Sequence, residues 1–111
     1  VIPLPAGWTP ALFDVYVRRV LCGIRLMDDR VPDWRDRIDA DDLDMENCYR
    51  CVFGHVFGQY VIGLERLGLH NGGVDYGLVP DRDDAEPVLR ALWVRAVKRL
   101  PLGLMSEGVI Q

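Results

Sequence analysis

"ENCYRCVFGHVFGQYVIGLERLGL", residues 46–69, is the stretch on which the fold turns. It holds two of the three cysteines, one of the two histidines and a G-x-x-x-G at Gly54 and Gly58. Taken as a ligand list, it points to metal or redox chemistry. Taken by periodicity, it points to a central helix. At about 100° per residue, Tyr49, Val52, Phe53, Val56, Tyr60, Leu64 and Leu67 share one bulky face. Cys51, Gly54, Gly58 and Val61 form a smaller opposite face, with Cys48, His55, Gln59 and Arg66 on a flank. A helix apolar nearly all round belongs in the centre of a fold. The spacing therefore predicts one helix from about residue 46 to 67, capped by Asp44 or Asn47. A Leu43–Cys48 staple would start it and Gly68 would end it. The small face would admit a neighbouring helix closely.

Geometry weighs against the ligand list. Cys48, Cys51 and His55 are the candidate metal ligands, at i, i+3 and i+7. On a continuous helix the first and last lie about 10 Å apart along the axis. Zinc–ligand bonds are about 2.0–2.3 Å, so one metal ion cannot take all three. A zinc-stabilised domain would need one neighbouring pair, such as Cys51 and His55, together with Cys22, His70 or a carboxylate. No second C-x-x-C or H-x-x-x-H completes a standard set. A redox C-x-x-C wants its first cysteine exposed at a helix N-terminus, which suits Cys48, but the strands of a thioredoxin fold are missing from the pattern. A Cys–His nucleophile in the middle of a buried helix would lack access and spare N–H donors. The expectation is core cysteines, no cofactor and no catalysis.

Around this segment the pattern stays helical. Residues 1–8, "VIPLPAGW", read as an extended lead-in, because two prolines oppose a regular helix. Thr9-Pro10 reads as N-cap and first helical residue. Leu12, Phe13, Tyr16, Val17, Val20, Leu21, Ile24 and Met27 then recur at helical spacing to about Met27. Residues 70–80, "HNGGVDYGLVP", read as a glycine-rich loop with a short extended piece at 74–76. It is no phosphate loop, since it lacks G-K-[ST] and follows a helix. Asp83-Asp84-Ala85-Glu86 reads as a cap with a capping-box acid, and Pro87 fits the first turn. A last helix to about Leu100 would bury Leu89, Leu92, Trp93, Ala96, Val97 and Leu100, with residues 101–111 as a tail. The result is an all-α, three-helix domain of 111 residues, with the Cys/Gly helix at its centre and an irregular acidic connection. Half the residues are apolar, enough for a core without disulfide or metal staples.

Charge is split along the chain. The formal net charge is −4. From Asp28 to Glu46 nine acids face three arginines, a local charge of −6, while Arg90, Arg95, Lys98 and Arg99 give +4 with no acid among them. Val31, Trp34, Ile38, Leu43 and Met45 punctuate the acidic stretch, so it reads as an ordered, anchored connection. "DADDLDME" fails the EF-hand pattern, because a loop starting at Asp39 puts Leu43 fifth and Asp44 sixth. There is no broad basic footprint of a nucleic-acid binder, no uncharged run of eighteen apolar residues and no secretory signal pattern. An odd number of cysteines in a chain poor in them favours a reducing compartment. The missing initiator Met suggests a trimmed or artificial N-terminus. One lysine among thirteen basic residues, with thirteen Asp against four Glu, points to a GC-rich genome.

One further pattern carries a resemblance. Leu26, Asp28, Pro32 and Trp34 are followed by Ile38-Asp39 and Leu43-Asp44-Met45. Then come Cys51 to Gly58, Leu67-Gly68-Leu69, Tyr76-Gly77 and Trp93. This resembles small uncharacterised proteins of actinobacteria and their phages, with P-G-W, L-D-[LM], C-V-[LF]-G-[QH]-[LV]-F-G and L-G-L in order. Asp33 stands where those proteins usually have Gly, His55 where Gln is commoner, and Cys48 is extra. The resemblance covers about two-thirds of the chain and implies a phage or actinobacterial origin with no particular activity.

The sequence thus leads to a small cytoplasmic accessory protein that binds another protein and self-associates, with no membrane or nucleic-acid partner expected. Trp34, Asp36, Asp39, Asp41 and Asp42 on the connection, and Arg90, Arg95 and Arg99 on the last helix, are the candidate partner contacts. The alternative is an acidic mimic of nucleic-acid phosphates that blocks a host DNA-binding protein. It would expose a continuous carboxylate field, and pairing of those acids with Arg90, Arg95 and Arg99 would count against it.

Overall fold

A computed structural model describes residues 2–102. Among them the structure is helical without strands. Helix α1 (Pro10–Arg30) begins where expected, with the Thr9 hydroxyl accepting from the Leu12 N–H at 3.1 Å and proline in the first turn, where no N–H is needed. Phe13, Tyr16, Val17, Val20 and Met27 bury the anticipated stripe. The helix also buries Gly23. A Cβ there would come within 2.8 Å of the Trp93 ring and would strike the Tyr76 carbonyl, so Gly23 lets the loop and the last helix approach.

The acidic connection is ordered. It contains two 3-10 turns, Trp34–Arg37 and Ala40–Asp42. Trp34, Ile38, Leu43 and Met45 are buried, as the apolar punctuation requires. Residues 44–50 do not begin a helix. The Asp44 carboxylate accepts from the Glu46 N–H at 3.0 Å, and the Asn47 side chain accepts from the Tyr49 N–H at 2.9 Å. Such local side-chain bonds compete with helical ones and hold this stretch in turns. Asp44 and Asn47 are therefore turn formers here, and neither caps the helix.

The expected central helix is two pieces, α2 (Val52–Phe57) and α3 (Tyr60–Leu67). Cys51 caps α2, its Sγ accepting from the Gly54 N–H at 3.4 Å. Gly58 ends α2 at φ +92°, in the left-handed region where glycine carries no Cβ penalty. Gln59 is extended, and the Tyr60 N–H donates to the Cys48 carbonyl at 2.8 Å instead of continuing the helical ladder. The break lets α3 fold back on α2. Gly63 is the contact point, since a Cβ there would lie 2.7 Å from the Phe57 ring. The break also changes the faces: Tyr49 is 63% exposed and Val61 50%. Gly68 ends α3 at φ +69°, as its position predicts.

Loop residues 70–80 contain a 3-10 turn at Val74–Tyr76 where an extended piece was expected. Gly77 follows at φ +65° and lies against the backbone of Val20 in α1. The loop also bonds across the fold. Trp93 Nε1 donates to the Gly77 carbonyl at 2.6 Å, and the Gly73 N–H donates to the Tyr60 hydroxyl at 2.9 Å. Helix α4 (Glu86–Val97) has proline in its first turn, but Ala85 precedes it without a side-chain cap. The acids expected to cap it are occupied elsewhere: Asp84 accepts from Trp8 Nε1 at 2.8 Å and from Arg82. Glu86 accepts from the Met45 N–H at 3.0 Å. The helix stops at Val97, Arg99 takes φ +60°, and Leu100 is exposed. The lead-in is irregular as expected. The tail beyond Leu102 and Val1 lie outside the described residues.

The core sits between α1, α4 and the connection. Trp34 and Trp93 meet edge to face, ring centroids 5.6 Å apart. Phe53, Phe57 and Tyr60 form a second aromatic group between α2 and α3. No described helix is long and apolar enough to cross a membrane.

Candidate functional site

The nine acids of the connection do not stand as a bare carboxylate field. Arg35 pairs with Asp28 at 2.7 Å, and Arg37 with Asp33 at 3.1 Å. Arg50 pairs with Asp42 at 3.1 Å and lies 3.9 Å from Asp44. These arginines come from the connection and the turn after it. Arg90, Arg95 and Arg99 make no ion pair with the connection, although Arg99 helps to lower the Asp28 carboxyl electrostatically. Burial works against the Asp28 anion, yet hydrogen bonds from Trp34 and Arg35 outweigh it and hold the carboxyl below its ordinary range. Asp36, Asp39 and Asp41 are exposed and Asp42 is half-buried. Asp39 is partly spent on its own backbone, accepting from the Asp41 N–H at 3.1 Å.

Trp34 cannot serve as a partner contact in this fold. Its side chain is 0% exposed, its Nε1 donates to Asp28 at 2.8 Å, and the Arg35 guanidinium lies 4.4 Å over its ring. The flanking charges come to it because an aromatic anchor in an acidic stretch needs a partner for its N–H. Arg35 also donates Nε to the Ala96 carbonyl at 3.0 Å and so ties the connection to α4.

The cysteine and histidine side chains point to separate neighbours. Of the three cysteines expected in the core only Cys51 is buried; Cys22, on α1, and Cys48, in the turns before α2, are exposed. Burial pushes the Cys51 thiol up, against weaker stabilisation of its anion by backbone N–H groups. His55 accepts from the Asp39 N–H at Nδ1, 3.4 Å away, so the neutral ring carries its proton on Nε2. That Nε2 is buried and lies 3.6 Å from Asp42, beyond hydrogen-bond reach. Among the described residues no three His, Cys, Asp or Glu side chains are grouped so as to hold a metal ion. The cleft beside Cys48 and Cys51, also lined by Met45, Tyr60 and Leu78, measures about 80 Å³.

A larger concavity lies on the outside of α4. It measures about 450 Å³ and is lined by Ile2, Pro3, Pro87, Arg90, Ala91, Val94 and Arg95. The helix buries Val88, Leu89, Leu92, Trp93 and Ala96. At 100° per residue, Pro87, Ala91 and Val94 fall on the opposite side, and Arg90 and Arg95 mark the two seams. So α4 is apolar on both faces, as a fully buried helix is, and among the described residues its outer face is covered only in part, by Ile2 and Pro3 of the lead-in. Pro87 is exposed, and Ala91 and Val94 are partly buried against the edge of the core. Arg99 lies past the helix end and does not line this groove. The spacing 87, 91, 94 was present in the sequence. The stronger stripe at Leu89, Leu92, Trp93 and Ala96 on the other face masks it.

No protein-family model matches this chain, and comparison with curated proteins and with solved structures finds no match either.

Proposed function

We propose that this chain is a small protein-binding accessory module of an actinobacterium or its phage. It acts in the cytoplasm by engaging a protein partner through the outer face of α4, without catalysis of its own. The observation that carries this is the second apolar stripe. A helix whose outer face leaves an exposed proline and partly exposed alanine and valine between two arginines gains by covering them. Removal of apolar surface from water is worth about 25 cal/mol per Å², and arginine is favoured at interaction hot spots. An acidic phosphate mimic is supported less well, because Asp28, Asp33, Asp42 and Asp44 lie against arginines of the same region.

The test is affinity capture from lysate of the source cell, with wild-type chain and Val94→Arg side by side. A partner held by wild type and lost from a folded Val94→Arg supports the module. Equal capture by both would move the contact off α4.

A further inference from the structure

We propose that the α4 groove takes a short segment of a partner protein in which two or three apolar side chains lie between carboxylates. This rests on α4's outer face being the docking surface, and it names what docks there. The floor is apolar: Ile2, Pro3, Pro87, Ala91 and Val94 offer no side-chain hydrogen-bonding group. A small metabolite would need polar groups on the floor to fix its orientation, whereas a peptide's apolar side chains need only shape.

The rims are basic and only partly used. Arg90 gives one guanidinium nitrogen to Glu86 at 3.3 Å and remains about half exposed. The other Glu86 oxygen is taken by the Met45 N–H, so that carboxylate is shared. Arg95 gives Nε to the Pro101 carbonyl at 3.2 Å. A guanidinium has five donors in a planar fork, which leaves each arginine N–H groups free among the described residues. From residue 87 to 102 the sequence holds four cations and no acid. An incoming carboxylate therefore meets Arg95 with no acid beside it among the described residues, and at Arg90 it shares the guanidinium with Glu86. Arg90 and Arg95 are five residues apart, about 7.5 Å along the axis, and they sit on opposite seams. One carboxylate cannot satisfy both, so the charges of the partner bracket its apolar residues. A nucleic acid would need a continuous basic track and would leave the apolar floor uncovered.

The experiment is selection of a random dodecapeptide display library on the full chain, followed by titration of enriched synthetic peptides monitored by amide chemical shifts. Enriched peptides are expected to carry apolar residues flanked by Asp or Glu and to shift resonances of Arg90, Ala91, Val94 and Arg95. Binding should weaken about tenfold or more in Arg90→Ala or Arg95→Ala and fall as salt rises. Val94→Arg and Ala91→Glu, checked for unchanged melting, should abolish it. Enrichment of uncharged apolar peptides at the same groove would overturn the charge bracket and leave α4 as the docking face. Peptides that bind Val94→Arg as well as wild type would overturn both. Self-association abolished by Val94→Arg would assign the groove to a second copy. Shifts of residues 103–111 on Val94→Arg in the free chain would assign it to this chain's own end. Either result would overturn the partner peptide.

Discussion

Tyr16 joins α1 to the loop before α4. Its ring is 2% exposed and packs on Trp8, and its hydroxyl donates to Asp81, which also takes Arg19 at 2.9 Å. Burial first, and the neighbouring Asp81 carboxylate second, push the phenol from 10.0 up to about 12. The unfolded chain would ionise near 10.0. The stabilisation is therefore complete below pH 10 and is lost as pH rises through the folded value of about 12. Chemical denaturation across pH 8–12 should show stability falling above pH 10, by on the order of 1–3 kcal/mol. Tyr16→Phe should remove most of that fall. It should also cost about 1–3 kcal/mol at neutral pH, because Asp81 loses a hydrogen bond. Asp81 behaves in the opposite sense. Burial raises it, but bonds from Tyr16 and Arg19 win and its carboxyl is lowered, so its contribution is lost only as pH falls through that lowered value. This pairing was not legible in the sequence, since Tyr16 and Asp81 are 65 residues apart and each has an ordinary local role.

The break between α2 and α3 shows where periodicity stops informing. Residues 52–67 carry a helical hydrophobic pattern, and Gly58 inside it is tolerable in a helix, at a cost of about 1 kcal/mol. What periodicity omits is the backbone: Gly58 is left-handed, and the Cys48 carbonyl captures the Tyr60 N–H. Gly58→Ala separates the two arrangements by sign. A Cβ at Gly58 meets nothing within 4 Å, so its effect is that of the backbone alone. In the broken form the left-handed angle makes alanine destabilising, by about 1–2 kcal/mol. In a continuous helix the same change would stabilise by about 0.4–1 kcal/mol. Urea unfolding followed by far-ultraviolet circular dichroism reads the difference. Helix α1 and its Thr9 cap, by contrast, were legible, because cap, proline and stripe agree and no distant group competes for their backbone.

Over the whole molecule, charge and core are less separate than the sequence implies. The connection reads as an acidic surface, yet it supplies Trp34 to the core and Arg35 to α4. The radius of gyration, 13.1 Å, matches a folded domain of about 100 residues. All-α class and the apolar anchors of the connection were legible from composition and period. Trp34 is among those anchors; what was not legible is that its complete burial removes it as a partner contact, because tryptophan serves both cores and interfaces. Trp34→Ala should cost about 3–5 kcal/mol in thermal or urea unfolding, a large share of the roughly 5–15 kcal/mol that holds a domain folded. A solvent-facing contact residue would change stability by only about 0.5 kcal/mol.

A partner is proposed to dock on the outer face of α4, which the described residues cover only in part, and site-specific photo-cross-linking tests this most directly. A photoreactive residue at position 94, with a matched control at exposed Arg66 on α3, is introduced into the full chain in its source cell. A discrete heterologous adduct at position 94, absent at position 66, is the predicted result. No adduct at 94, or the same adducts at both positions, would contradict α4 as the partner-binding face.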